Sequence, residues 1–208
     1  MKYIFMAGAP GSKWSSVAKN IYPSASIDCT DHSVDRQYFH DATGRTELMH
    51  MGAYWDPGME FGNWFDNGFG KRSREGHEKE FDRPFSGTGT RIIKSHWFSY
   101  RQNIDFLKAT WPDSPVVLVY RPTDACLGWW VKCGHFDITY PNYQHYNDLR
   151  FMAGVIQAQN IGITDSALKY SGKHPLTNHE LARMLNISQP PDQYQQDYGA
   201  SDVRVTVI

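Results

Sequence analysis

The chain opens with an unbroken apolar run, Tyr3 to Ala7, breaks into glycine and serine at Gly8 to Ser12, and resumes as a helix-like segment from Ser15 to Tyr22. That change of pattern predicts a buried strand, a tight loop and a helix. The strongest strand signal is Pro115-Val116-Val117-Leu118-Val119-Tyr120, a β-branched-rich run suited to a parallel strand covered on both faces. Between the two lies a third strand, Arg91 to Lys94. A helix follows it from Gln102 to Trp111, with Ile104, Phe106, Leu107 and Trp111 on its apolar face and Pro112 at its end. Pro122, Thr123 and Asp124 put a proline and an acid into the first turn of another helix, which reaches Trp130. Weaker signals make Ser24 to Asp28 a short strand, Ser73 to Phe81 a charged helix and the alternating Val203 to Ile208 a strand. Thr177 and Glu180 form a capping box for a helix that runs to Ile187. Alternating strands and helices predict an α/β fold, a three-layer domain in which helices flank a central parallel β-sheet containing Tyr3 to Ala7, Arg91 to Lys94 and Val116 to Tyr120.

From Ser33 to Thr90 neither the helical nor the strand period is sustained. Tyr54, Trp55, Trp64 and Phe65 stand there among glycines and charges, either as a lid or partner surface or as ordinary core packing. At 208 residues the chain is expected to be one domain with a substantial core. A formal net charge of −1 argues against binding a long polyanion, so no nucleic-acid partner is expected, while a local basic pocket remains open. Cys29, Cys126 and Cys133 have neither metal-ligand spacing nor a disulfide framework, which points to a reducing compartment and to no metal. Met1 to Ala7 is too short for the apolar part of a signal peptide, and no apolar run approaches a membrane span. The expectation is a cytoplasmic protein with no membrane partner.

The chemistry centres on Gly8-Ala9-Pro10-Gly11-Ser12-Lys13-Trp14-Ser15-Ser16. Glycines let a backbone approach a ligand, the amide groups and positive dipole end of the following helix point at it, and Lys13 with the hydroxyls of Ser12, Ser15 and Ser16 completes an anion site. Gly-Ala-Pro-Gly-Ser-Lys nearly spells the loop of a nucleoside monophosphate kinase. It is one glycine short, so the lysine arrives out of phase, and Trp14 takes the next position. Further on, Ile92-Ile93-Lys94-Ser95-His96 ends a strand with a lysine and a histidine two residues apart, on one face if the extended geometry persists. Arg121 stands at the carboxyl end of the strongest strand. Ligands of open α/β sheets bind at such ends.

These three pieces, in this order, resemble the sulfotransferases that use 3′-phosphoadenosine 5′-phosphosulfate (PAPS). Trp14 directly after the loop is similar to the end of that family's 5′-phosphosulfate loop. Lys94-Ser95-His96 resembles its Lys-Thr/Ser-His motif, and Tyr120-Arg121-Pro122-Thr123-Asp124 its 3′-phosphate motif. Leu168-Lys169-Tyr170 and Glu180-Leu181 onward look like a late strand and helix of the same domain. The resemblance implies a P-loop-like fold, with Gly11, Ser12, Lys13, Trp14, Ser15, Ser16 and Arg121 binding the nucleotide. It implies His96 as the base for the acceptor hydroxyl or amine, and Lys94 and Lys13 as the cations beside the leaving phosphate. The donor would be PAPS, the product adenosine 3′,5′-bisphosphate (PAP), the acceptor a small molecule or glycan-like compound, and no metal would take part. There are departures. The family's loop lysine falls on Ala9, its 3′-phosphate serine near Gly128, and its late Arg-Lys-Gly loop is missing, where Lys173 is either a substitute or a solvated loop lysine. A kinase with a deviant loop is the alternative enzyme, although Arg121 stands where it would want a magnesium-binding acid. A non-catalytic nucleotide-binding module of the same fold is the third reading.

Overall fold

The computed structural model describes residues 1–31, 53–54, 69, 71–132, 148–191 and 201–208 of the chain. The elements are β1 (Tyr3–Gly8), α1 (Trp14–Ile21), β2 (Ala53–Tyr54), α2 (Arg74–Asp82), β3 (Arg91–Ser95), α3 (Arg101–Thr110), β4 (Val116–Tyr120), α4 (Thr123–Lys132), α5 (Leu149–Lys169), α6 (Asn178–Met184) and β5 (Arg204–Val207). The sheet order is β2-β3-β1-β4-β5. β1 pairs in parallel with β3 and β4, β2 with β3 in parallel, and β5 runs antiparallel to β4 at the edge. This is a mixed α/β fold with a mostly parallel sheet flanked by helices, and the three strongest strand expectations are parallel neighbours at its centre.

Alternation along β1 feeds two cores. Ile4 and Met6 join Ile92, Val117 and Val119 beneath α1 and α6, while Tyr3, Phe5 and Ala7 join Ile93, Val116 and Leu118 beneath α2, α3 and α5. Every residue of β1 is buried, as the unbroken apolar run requires. The second core is aromatic. Phe5 lies 5.3 Å from Trp111, 5.6 Å from Phe81 and 5.8 Å from Phe98 between ring centroids, tilted or edge-on.

Two expected strands are corrected. Ser24 to Asp28 makes one parallel bridge, Ile27 to Thr90, and otherwise a turn in which the Ser24 and Ile27 amides bond back to Ile21 and Ser24. Serine side chains there reach Ser188, so the segment ties the C-terminal half to the sheet and does not extend it. Leu168 and Lys169 are the last turn of α5 and Tyr170 its C-cap. The chain leaves that helix through Ser171 at φ 51°, and the Gly172 amide donates to Ala167 O at 2.8 Å. The capping box of α6 forms half as expected: Thr177 Oγ1 accepts from the Glu180 amide at 3.1 Å, but the Glu180 carboxylate takes the Leu176 amide and not that of Thr177. Apart from the backbone of β2, the aromatic stretch from Met51 to Phe65 lies outside the described residues.

Candidate functional site

Because β1, β3 and β4 are parallel, their carboxyl ends open at one edge of the sheet, and the segments after them meet there. The first is the turn from β1 into α1. Ser12 N donates to Ala9 O at 3.0 Å, Gly11 has φ +81°, and a Cβ at Gly11 would stand 2.5 Å from Cys126 O, so the loop is pressed against the first turn of α4. Glycine is required by both the angle and the space. Lys13, the N-cap of α1, is also left-handed, at φ 69° and ψ 19°, and makes no side-chain capping bond. With no acid in the first turn of α1, nothing in that turn offsets the positive end of the helix. Ser12 is 1% exposed, and its Oγ has no hydrogen-bond partner among the described residues. A buried hydroxyl in that state is costly unless a ligand meets it.

The second segment is the end of β3. Lys94 is in register with Met6 of β1 and fully buried. Its Nζ lies 5.8 Å from the centre of the Trp14 ring. His96 has left the strand for helical angles, φ −64° and ψ −32°, so strand alternation is not what aligns it with Lys94. Trp14 does that instead. The indole lies flat on the imidazole, with centroids 4.0 Å apart and planes 10° apart. His96 Nδ1 is 2.5 Å from Gly8 O, and since a carbonyl only accepts, Nδ1 carries the proton. Nε2 is therefore the basic nitrogen of the neutral ring.

Arg121 follows β4. Its Nε donates to both Asp202 oxygens at 3.0 and 3.1 Å, and its Nη1 to Gly11 O at 3.2 Å. The arginine therefore reaches the loop, as a brace between it and the C-terminal segment. Nη2 has no partner among the described residues. The backbone of Arg121 is fixed too, its carbonyl accepting from Asn160 Nδ2 at 2.9 Å and from the Cys126 thiol. Burial pushes that thiol up to about 12, with the Arg121 charge acting the other way, so it stays protonated and inert as a nucleophile.

The structure thus gathers Gly11, Ser12, Lys13, Trp14, Lys94, His96 and Arg121 at one end of the sheet, with Ser15 and Ser16 half-buried in the first turn of α1. Lys13 Nζ sits 3.5 Å from the centre of the Trp129 ring on α4. Lys173 and Gly128 do not add to this cluster. Lys173 pairs with Val207 on the outer edge of β5, two strands away from β1. Gly128 is exposed, and a Cβ there would meet nothing within 4 Å, so no hydroxyl stands at the position of the family's serine. Sequence reasoning missed the Gly8 carbonyl, Trp129, Asn160 and Asp202. Each acts through a contact distant in the chain, for which no local pattern exists. Among the described residues there is no metal-ligating cluster, and no helix is long and apolar enough to cross a membrane. No family model, curated protein or solved structure matches the chain.

Proposed function

We propose that the protein is a sulfotransferase that moves a sulfuryl group from PAPS to a hydroxyl or amine acceptor, on a P-loop-like fold. The observation that carries the reading is the convergence of Trp14, Lys94 and His96 beside the uncapped start of α1, with Nδ1 of His96 committed to Gly8 O. The loop amides, Ser12, Ser15 and Ser16 hold the 5′-phosphate, Trp14 lies near the adenine, and Arg121 reads the 3′-phosphate. His96 Nε2 takes the acceptor's proton as its oxygen or nitrogen bonds to sulfur. The bond from sulfur to the 5′-phosphate oxygen breaks in line, and PAP leaves with that electron pair. Lys94 and Lys13 offset the charge that grows on the leaving oxygen.

Calorimetry on one variant tests the nucleotide half. A charge-assisted hydrogen bond contributes about 1.5 to 3 kcal/mol, so Arg121→Ala is expected to weaken PAP by at least tenfold more than adenosine 5′-phosphate. Equal weakening of both ligands means that Arg121 only braces Gly11 and Asp202. A wild-type preference for a magnesium triphosphate over PAP selects the kinase reading. PAP binding without transfer to any acceptor class selects the non-catalytic module.

A further inference from the structure

We propose that the outer face of α5 is a self-association surface on which a second copy of this chain docks antiparallel. The inner face of this helix is spent on the fold, with Met152, Ile156, Gln159, Ile163 and Ser166 buried. Its outer face is apolar where solvent-facing helices are normally charged. Phe151, Ile161 and Leu168 are 54%, 55% and 76% exposed, and no charged residue occurs between Phe151 and Thr164. Gly154 and Ala158 lie between them on the same face, and a Cβ at Gly154 would meet nothing within 4 Å. Phe151, Gly154, Ala158, Ile161, Asp165 and Leu168 alternate spacings of three and four, the seam of a helix that pairs with another helix.

A second copy is the occupant because the seam complements itself when reversed. In the antiparallel register that sets Ala158 against Ile161 of the second copy, Phe151 faces Leu168 and Gly154 faces Asp165, each pairing occurring twice. Large residues then meet small ones or other apolar ones, and the only acid of the seam lands where a side chain is missing. Arg150, exposed one turn before Gly154, brings a cation to that carboxylate. Arg101 of the same chain lies 3.6 Å from Asp165, so the two guanidinium groups enclose it. A parallel pairing would instead set Asp165 against Asp165. The paired stretch is about 27 Å long at 1.5 Å per residue. That puts the contact at the low end of specific interfaces, roughly 1,000 to 1,200 Å², and makes the association concentration-dependent.

Sedimentation equilibrium on the full chain, from about 1 to 200 µM, covers the range in which so small an interface associates. The average mass is expected to rise toward twice that of the chain. Ile161→Asp, and independently Ala158→Glu, should weaken association at least tenfold while leaving the melting curve of the dilute monomer in place, since both positions face solvent. Asp165→Arg should weaken it, and adding Arg150→Asp should restore it. In a background carrying Cys29→Ser and Cys133→Ser, Gly154→Cys and Asp165→Cys should form a disulfide-linked pair when mixed and oxidised, and neither should do so alone. A monomer throughout the range, a dimer untouched by both Ile161→Asp and Ala158→Glu, or cross-linking of like positions overturns the proposal.

Discussion

Among the described residues two histidines are buried, His77 at 0% and His96 at 7% exposure, and both lie against aromatic rings. Aromatic contact therefore does not by itself single out the proposed base. His77, on α2, sits within 6 Å of the ring centres of Phe69, Phe81, Phe106 and Trp111. Burial, and secondarily the charge of Arg72, holds its pKa down to about 4, so it is a neutral filler at any ordinary pH. His96 stacks on Trp14, and the Gly8 carbonyl determines which nitrogen carries the proton. Its neighbours are a buried lysine and the start of α1. The difference lies in the surroundings: His77 packs among four aromatic rings, whereas His96 has an oriented acceptor at Nδ1 and shares Trp14 with a buried lysine.

If that contrast is correct, the two residues respond oppositely to substitution. General-base catalysis contributes about 100- to 10,000-fold, so His96→Ala is expected to lower turnover by that order while the dissociation constant of PAP changes little. His77→Phe should leave turnover within a few-fold. A transfer assay and calorimetry on the same preparations check both. Unchanged turnover in His96→Ala would remove it from the chemistry, and lost folding would return it to the structural class with His77.

The reverse holds for stability against pH. The pKa of His77 falls from 6.5 in the unfolded chain to about 4 in the fold. Above 6.5 both states are neutral and the contribution is complete; as pH falls toward 4 the unfolded chain takes up a proton that the native state refuses, and stability drops. A shift of this size corresponds to at most about 3.5 kcal/mol. His77→Phe keeps an aromatic filler and removes the titration. Its urea midpoint should therefore gain on the wild type between pH 7 and pH 4.5, whatever the carboxylates contribute to both. A constant difference between the two proteins would show that His77 is not held neutral.

The framework was legible because burial on both faces leaves a plain mark, as in Tyr3 to Ala7 and Val116 to Tyr120. The candidate site was legible as three strand ends, because a parallel sheet brings such ends together without further information. α5 was not read, although Met152, Ile156, Gln159, Ile163 and Ser166 recur at helical spacing. Its exposed apolar residues blur the contrast between faces, and its buried polar ones reverse it. Ser24 to Asp28 misled for a different reason. Short apolar runs are the same in a strand and in a turn whose serines bond across the chain. The brace of Arg121 on Asp202 joins residues far apart in the sequence, in a loop whose composition carries no sign of it.

The smallest expected effect concerns Lys13, where the roles of charge and backbone can be separated. It holds φ 69°, a region in which any side chain costs about 1 to 2 kcal/mol relative to glycine, and its ammonium rests on Trp129. Lys13→Gly and Lys13→Ala both lose that contact, but only alanine keeps the strain. Glycine gives back part of the gain through its greater freedom when unfolded. The glycine variant should therefore be more stable than the alanine variant by about 1 kcal/mol, a few degrees in melting temperature for a chain of this size. Affinity for PAP should fall equally in both, because what the ligand loses is the charge. If the glycine variant binds PAP as the wild type does and the alanine variant does not, the loop conformation holds the donor and the lysine's charge has no part in it.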